Sequence, residues 1–275
     1  MKITMYGELI GDQWAWLYDH WEIPYCCPRQ VREAIESLGP DEELVLEINS
    51  PGGDVWAGFE IYGMLRACSG HTEAHIIAMA ASAATTITSA CDTVLASPVA
   101  QIMIHQPATA VVAYVNNEYV RQLMNFLDSI KASIINGYVI KAAGKATRAR
   151  IEQLVDESTY MPVQDAIELG LVDGILDEDE ESAQRIREEG GVLVTNMAVP
   201  SNTPTELLRR YEAAVRAGTM QEVPGHPVSH EAPQEAQSGA EGGNAEPAGN
   251  VPDTDVGNAW RMRARLALSR ARCSL

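Results

Sequence analysis

Basic residues are scarce in this sequence. Its 275 residues include 20 Lys and Arg against 38 Asp and Glu, which gives a formal net charge of −18 at pH 7. A field of this sign repels polyanions, so the composition argues against broad, non-specific binding to nucleic acid or to anionic membranes. A local exception lies at residues 259–275, which carry five arginines and no acid.

Cysteine is also scarce, and its spacing fits neither a metal site nor a set of disulfides. The number of cysteines is odd, two of them are adjacent, and no CxxC pair occurs. We therefore expect no metal site, reduced thiols and a cytoplasmic location. The five residues are Cys26, Cys27, Cys68, Cys91 and Cys273.

Long apolar runs are absent. No stretch approaches about 18 uninterrupted apolar residues, so the sequence predicts no membrane-spanning helix. The N-terminal segment, MKITMYGELIGDQW, has no long apolar run and no small-residue cleavage site. We interpret it as the first strand of a domain rather than a signal peptide. A GxxxxGK[ST] loop is also missing, so we expect no ATP site and no cofactor.

The sequence does contain, over residues 1–177, a regular alternation of short apolar strands and helical patterns. This alternation predicts one α/β domain with parallel strand pairing. The predicted strands are residues 1–6, 44–48, 75–78, 93–96 and 101–104. The predicted helices begin at Pro28, Trp56 and Ala80.

A longer helical pattern covers residues 116–143. Apolar residues recur along it at three- and four-residue steps and form one stripe. The stripe consists of Val120, Leu123, Leu127, Ile130, Ile134 and Tyr138. A helix of this length spans roughly 42 Å, more than one face of the domain needs. The stripe is therefore either core or, where the helix projects, a surface that packs on a second subunit.

The composition changes after residue 177. Residues 178–217 read as an acidic linker with a short helix. Residues 218–258 are rich in Gly, Pro, Glu, Ala, Ser and Gln, and they have too few large apolar side chains to offset the entropy of ordering. We expect this stretch to be a disordered linker that leads into the Arg-rich tail, residues 259–275.

Three elements of the domain have the character of a hydrolytic site, and each follows an apolar strand. Ser82 lies where a strand meets a helix of small residues, a junction that exposes a hydroxyl near free backbone N–H groups. His105 ends another strand and can act as a general base. The Pro-Gly-Gly turn at residues 51–53 lets a substrate backbone approach closely. Taken singly, each fits an ordinary packing residue or turn.

Four segments containing or flanking these residues occur in one order: 47–53 (EINSPGG), 80–82 (AAS), 103–107 (MIHQP) and 166–173 (AIELGLVD). Together they resemble the signature segments of the Clp protease proteolytic subunit family. Residues 5–8 (MYGE), the flank of Ser82 and the C-terminal extension are more similar to the phage-type branch, the head maturation (prohead) proteases.

The resemblance implies a crotonase-like α/β spiral of ββα units, with residues 116–143 as the handle helix through which two rings stack. It implies self-association into rings, with Ser82 as nucleophile and His105 as general base. The backbone N–H groups of Gly53 and Ala83 would form the oxyanion hole. A capsid or scaffold protein is the implied substrate.

The third member of the triad departs from the family pattern. Counting back from the GLVD segment at 170–173, the position expected to carry Asp or Glu falls on Ser158. Either Glu157 orients His105, with Asp156 as the alternative, or the enzyme works as a Ser–His dyad.

The leading hypothesis is an ATP-independent serine endopeptidase that processes phage capsid or scaffold proteins in the host cytoplasm. No segment before the first strand resembles an ATPase-docking loop, which favours ATP independence. One alternative is a catalytically impaired scaffold or assembly protein of the same fold, which Ser158 favours. Another is a crotonase-fold acyl-CoA enzyme, which the Ser–His pair disfavours. The Arg-rich tail either contacts the chain's own acidic linker or docks on an acidic capsid precursor.

Overall fold

Strand β1 (Lys2–Tyr6) pairs in parallel with β4 (Leu44–Ser50), from Lys2↔Val45 to Tyr6↔Asn49. A computed structural model describes residues 1–39, 42–111, 114–176, 204–226, 228 and 273–274. Along β4 every second residue is fully buried, since alternate side chains of a strand point to opposite faces. This strand brings the chain to the Pro-Gly-Gly turn at residues 51–53.

A seven-stranded sheet forms the centre of the domain, with the order β1-β4-β5-β6-β10. Strand β5 is long, and it forks the sheet: its first half pairs with β6 and its last three residues pair with β7. All of these pairs are parallel except β7 with β9, which is antiparallel. The remaining strands of this sheet are β5 (Thr72–Ala81), β6 (Thr93–Ala96), β7 (Gln101–Ile104), β9 (Thr159–Pro162) and β10 (Gly174–Ile175).

Helices connect the strands and cover the sheet, which confirms the predicted mixed α/β architecture. They are α1 (Ala15–His20), α2 (Pro28–Glu36), α3 (Val55–Ala67), α4 (Ala83–Thr88), α5 (Asn117–Ala142), α6 (Arg148–Asp156) and α7 (Val163–Leu169). A 3-10 turn, Asp12–Trp14, precedes α1. Two shorter strands, β2 (Glu8–Leu9) and β3 (Tyr25–Cys26), pair with each other in parallel.

The predicted boundaries of β5 and of the helix after it are wrong. The strand predicted over residues 75–78 spans Thr72–Ala81. The alanine-rich helix predicted from Ala80 begins at Ala83, because β5 continues to Ala81 and pairs there with Met103 of β7. Alanine favours helix locally, but the ladder to β7 outweighs that weak preference. Ser82 is consequently left between the last residue of a strand and the first residue of a helix.

The long helix is confirmed as α5. The side chain of Asn116 caps its first turn by accepting a hydrogen bond from the backbone N–H of Tyr119, at 2.9 Å. The second half is packed in the core, where Ile130, Ile134 and Tyr138 are buried. The first third is exposed to solvent, so the apolar stripe is core at one end of the helix only.

Little of the chain after residue 176 is described. Thr205–Arg270 is a unit separate from the preceding domain. There α8 (Pro204–Arg216) is followed by a turn in which the hydroxyl of Tyr211 accepts from the N–H of Val223, at 2.7 Å. This turn reaches into the predicted disordered linker. Most of the acidic linker, the rest of the disordered linker and residues 259–272 of the Arg-rich tail lie outside the described residues.

The last described residues, β11 (Cys273–Ser274), pair antiparallel with β8 (Ala108–Thr109). Among the described residues, no helix has the length and apolar character needed to cross a membrane.

Candidate active site

Ser82 has an unusual backbone conformation. Its φ is +63° and its ψ is −126°, values that an L-residue rarely adopts. The turn is held on both sides: Ser82 N–H donates to the carbonyl of Met103 at 2.9 Å, and Ser82 C=O accepts from Thr86 N–H at 3.2 Å. A residue held in a strained conformation by its surroundings is typical of functional sites.

His105 lies within hydrogen-bonding distance of Ser82. Its Nε2 is 2.9 Å from the Ser82 Oγ. The contact follows from topology: β5 and β7 run parallel, so the residues that follow them emerge at the same edge of the sheet. The structure therefore brings together the two side chains that the sequence predicted as nucleophile and base.

Burial determines the charge of His105. Removal of the ring from water disfavours the imidazolium ion and lowers its pKa to about 4. Among the described residues, no carboxylate offsets this effect, and the second ring nitrogen has no hydrogen-bond partner. His105 is consequently neutral at neutral pH, with Nε2 free to accept a proton from the Ser82 hydroxyl.

The Pro-Gly-Gly turn packs directly against Ser82. A Cβ added at Gly52 would lie 2.6 Å from the Ser82 Cβ and 2.8 Å from the Ala83 nitrogen. Leu9 of β2 fixes the turn from the other side: its N–H donates to Gly52 C=O, and its C=O accepts from Asp54 N–H, both at 2.8 Å.

The backbone N–H groups of Gly53 and Ala83 are without a partner among the described residues, as are the next two N–H groups of α4. The neighbouring Gly52 N–H is already used, because it donates to Ser50 Oγ at 3.1 Å. Unpaired donors beside a serine hydroxyl are what an oxyanion requires. Ala83 follows Ser82 directly, and Gly53 follows Gly52, which packs against Ser82, so the two residues that the resemblance implied as an oxyanion hole belong to the two segments that meet there.

The structure does not bring either predicted carboxylate to His105. Glu157 accepts a hydrogen bond from the Gln153 side chain at 2.8 Å, and Asp156 forms an ion pair with Lys131 at 2.9 Å. Both assignments as the orienting acid stay predictions, and these contacts give them no support.

Ser158 is the residue that strand register sets opposite His105. The last registered pair of the antiparallel ladder between β7 and β9 is Ile104↔Thr159. One step further along each strand come His105 and Ser158. Ser158 has a φ of +50°, a left-handed conformation that leads from the end of α6 into β9. The register, extended by one residue, thus sets the position counted from the sequence opposite the base.

Comparison with known proteins identifies the family. Residues 32–179, just over half of the chain, match the Clp protease family. The chain belongs to the Clp protease family. It is 34% identical over 148 residues to the ATP-dependent Clp protease proteolytic subunit 1 of Chlamydia muridarum (strain MoPn / Nigg), covering 52% of this chain and 74% of that protein.

Two further relatives carry the same name. The protein of Chlamydia trachomatis serovar D is 34% identical over 149 residues, covering 52% of this chain and 74% of the relative. That of Protochlamydia amoebophila is 32% identical over 151 residues, covering 54% and 71%. Membership of the Clp protease family indicates a hydrolase of the peptidase class, and it weighs against the acyl-CoA alternative.

Some residues that support the candidate site were not identified from the sequence. The hydroxyl of Thr85 bonds two carbonyls behind Ser82, and the hydroxyl of Tyr138, on α5, is 3.5 Å from Ser82 C=O. The sequence does contain a local indication of the role of Thr85, because residues 85–89 read TTITS, a run rich in hydroxyl groups. The structure shows that all five residues are buried. Hydroxyls in such a place require partners, although the sequence does not say which.

Proposed function

We propose that this chain is a serine endopeptidase in which Ser82 is the nucleophile and His105 the general base. The observation that carries the proposal is the 2.9 Å contact between Ser82 Oγ and His105 Nε2. The unpaired N–H groups of Gly53 and Ala83, on the turn that packs against Ser82 and on the residue after it, support the proposal. The serine and the histidine sit within the matched region, residues 32–179.

The reaction follows from these atoms. Ser82 Oγ attacks the scissile carbonyl while its proton passes to His105 Nε2. The negative charge that develops on the carbonyl oxygen is stabilised by the N–H groups of Gly53 and Ala83, a contribution of about 10²–10³ in rate per donor. His105 then gives its proton to the leaving amine, and water hydrolyses the acyl-enzyme by the same steps.

The test is reaction with a fluorophosphonate, which phosphonylates only activated serines. We expect one adduct, located on Ser82 by peptide mass spectrometry, and none in Ser82→Ala. Ser89 is a matched control, since it is a second buried serine of the same region, and we expect it to stay unmodified. No adduct in folded, assembled protein would overturn the proposal.

A second function is favoured by one observation. No described carboxylate contacts His105, and the strand register, extended by one residue, sets Ser158 opposite it. A chain of this family that has lost its orienting acid would serve as a scaffold or assembly protein. The absence of a Ser82 adduct would support this alternative, because the protein would then act through its assembly with other proteins and not through catalysis.

We propose that the natural substrates are phage capsid or scaffold proteins, cleaved without ATP during head maturation. The support is the similarity of residues 5–8 and of the Ser82 flank to phage-type enzymes, and a chain that continues well beyond residue 179. The relatives are named as subunits of ATP-dependent proteases, so the nucleotide requirement needs its own test. We expect the purified chain to cleave an unfolded protein in the absence of nucleotide.

The Arg-rich tail, residues 259–275, would recognise an acidic capsid precursor by charge. Deleting these residues is expected to abolish co-assembly with the precursor while leaving the fluorophosphonate adduct intact. Unchanged co-assembly would rule out the docking role.

We propose self-association into rings, with the exposed end of α5 as the contact between two rings. Tyr119, Val120 and Met124 are exposed by 41%, 40% and 59% on this part of the helix. A double change, Val120→Glu with Met124→Glu, is expected to halve the assembly mass measured by analytical ultracentrifugation. Asn125→Glu, an added charge at an exposed polar position of the same turn, is the control, and we expect it to leave the mass unchanged.

A further inference from the structure

Thr85 makes a pair of contacts that no other described hydroxyl of α4 makes. Its side chain is 1% exposed. Its Oγ1 lies 2.7 Å from the carbonyl oxygen of Ala80 and 2.7 Å from that of Met103. Ala80 lies on β5 two residues before Ser82, and Met103 lies on β7 two residues before His105.

These contacts lie where β5 and β7 are held together by few other bonds, because the two strands share only a short ladder. Three registered pairs join the two strands, and the last of them is Ala81↔Met103. After this pair the strand ladder ends and the two segments take different paths. Ser82 turns into α4 while His105 continues into a loop. The Met103 carbonyl accepts both the Ser82 N–H, at 2.9 Å, and the Thr85 hydroxyl.

The other hydroxyls of α4 bond differently. Thr88 Oγ1 donates to Thr85 C=O at 2.9 Å, and Thr86 Oγ1 lies 3.2 Å from the Tyr138 hydroxyl of α5. Neither reaches a strand. Thr85 alone among them joins the first turn of α4 to both β5 and β7.

We infer that Thr85 is a positioning residue that sets the separation between the Ser82 hydroxyl and the His105 ring. The inference rests on the proposed function. The hydroxyl has one proton, which it shares between the two carbonyls or gives to one of them. In either case the Thr85 hydroxyl bridges the carbonyl of Ala80 on β5 and that of Met103 on β7, close to the strand ends from which the reacting side chains extend. A misplacement of about 1 Å between reacting groups costs up to about 10² in rate.

Three variants separate positioning from stability. Thr85→Val keeps the shape and removes the hydroxyl, whereas Thr85→Ser keeps the hydroxyl. Thr88→Val is the matched control, because it removes a buried hydroxyl from the same helix without touching a strand. The measurement is the second-order rate constant for fluorophosphonate labelling of Ser82, below the thermal midpoint of each variant, together with kcat and KM for a peptide.

We expect Thr85→Val to label about ten- to a hundredfold more slowly than the wild type, with kcat reduced and KM unchanged. Thr85→Ser is expected to restore labelling to within about threefold. Thr88→Val is expected to lower the thermal midpoint by as much as Thr85→Val does and to label at the wild-type rate, because a role in stability alone does not change the rate of folded protein.

Other outcomes overturn the inference. Equal labelling of Thr85→Val and the wild type would show that the hydroxyl does not position the pair. Slow labelling of both Thr85→Val and Thr85→Ser would assign the effect to packing. Failure of the wild type to label at all would remove the proposed function, and the inference with it, whereas a labelled wild type beside an unaffected Thr85→Val removes the inference alone.

Discussion

Gly52→Ala is expected to abolish reaction of Ser82 with a fluorophosphonate, by at least about 10³-fold. Gly52 has a φ of +86° and lies against the turn that carries the nucleophile. A Cβ there would lie 2.5 Å from the Ala81 carbonyl oxygen, 2.6 Å from the Ser82 Cβ and 2.8 Å from the Ala83 nitrogen. None of these atoms is the end of a flexible side chain, so the turn and the nucleophile must move apart.

The displacement would affect three parts of the reaction at once. It would move Ser82 Oγ relative to His105, and it would move the N–H groups of Gly53 and Ala83 away from the position of the oxyanion. Leu9 opposes any compensating shift of the turn, because it bonds the turn on the other side at 2.8 Å. Labelling at the wild-type rate would show that the turn is not part of the site.

Two other glycines serve as controls for this experiment. Gly144 has a φ of +88°, but a Cβ added there would have no atom within 4 Å, so Gly144→Ala isolates the backbone penalty of about 1–2 kcal/mol. Gly63 lies inside α3 with the same open space, and Gly63→Ala is expected to stabilise the fold by roughly 0.5–1 kcal/mol. Both are expected to label normally, and their thermal midpoints, measured by circular dichroism, report the stability change.

Much of the site was predictable from the sequence because its signals are local. Three strand ends can be recognised in the sequence. Two are apolar strands followed by Ser82 and by His105, and the third is marked by the Pro-Gly-Gly turn. Parallel pairing then brings such ends to one edge of the sheet. The long helix was also predicted closely, since its apolar stripe and the capping Asn116 belong to the helix itself.

The third position of the site could not be predicted in this way, because it depends on pairing between segments that are distant in the sequence. Strand β9 (Thr159–Pro162) is four residues long, contains proline and is fixed by its ladder with β7 rather than by its own composition. Counting back from the GLVD segment reaches Ser158, but only this ladder shows that Ser158, rather than Glu157 or Asp156, continues the strand opposite His105. The direction of the Asp156 side chain is also set by a distant residue, Lys131 on α5, whereas Glu157 bonds Gln153 of the preceding turn of α6.

His105 has no carboxylate partner among the described residues, and this predicts how the labelling rate of Ser82 depends on pH. General-base action requires neutral His105, and burial lowers the pKa of this ring from 6.5 to about 4. Protonation therefore removes the base only below about pH 4, so we expect fluorophosphonate labelling to keep at least half of its plateau rate down to that value. Circular dichroism at each pH confirms that the fold persists. A midpoint near 6.5 would show that burial does not lower the pKa of the ring, and one well above 6.5 would indicate that a carboxylate reaches it.

Ser158→Asp is expected to convert this pair into a triad. A carboxylate opposite His105 stabilises the imidazolium ion, so the pKa of the ring rises and the acid limb of the labelling profile moves to higher pH. The plateau rate is expected to increase on the order of tenfold, because the new carboxylate orients the ring and stabilises its charge in the transition state.

Three variants decide whether Ser158 or a neighbouring acid governs the base. Ser158→Asn has a similar shape without the charge, and we expect it to leave the acid limb unmoved. Glu157→Gln and Asp156→Asn are expected to label at the wild-type rate, since their side chains are bonded to Gln153 and Lys131. A loss of about 10³-fold or more in Glu157→Gln would instead identify Glu157 as the third member, and it would mean that the chain closes on His105 when substrate binds.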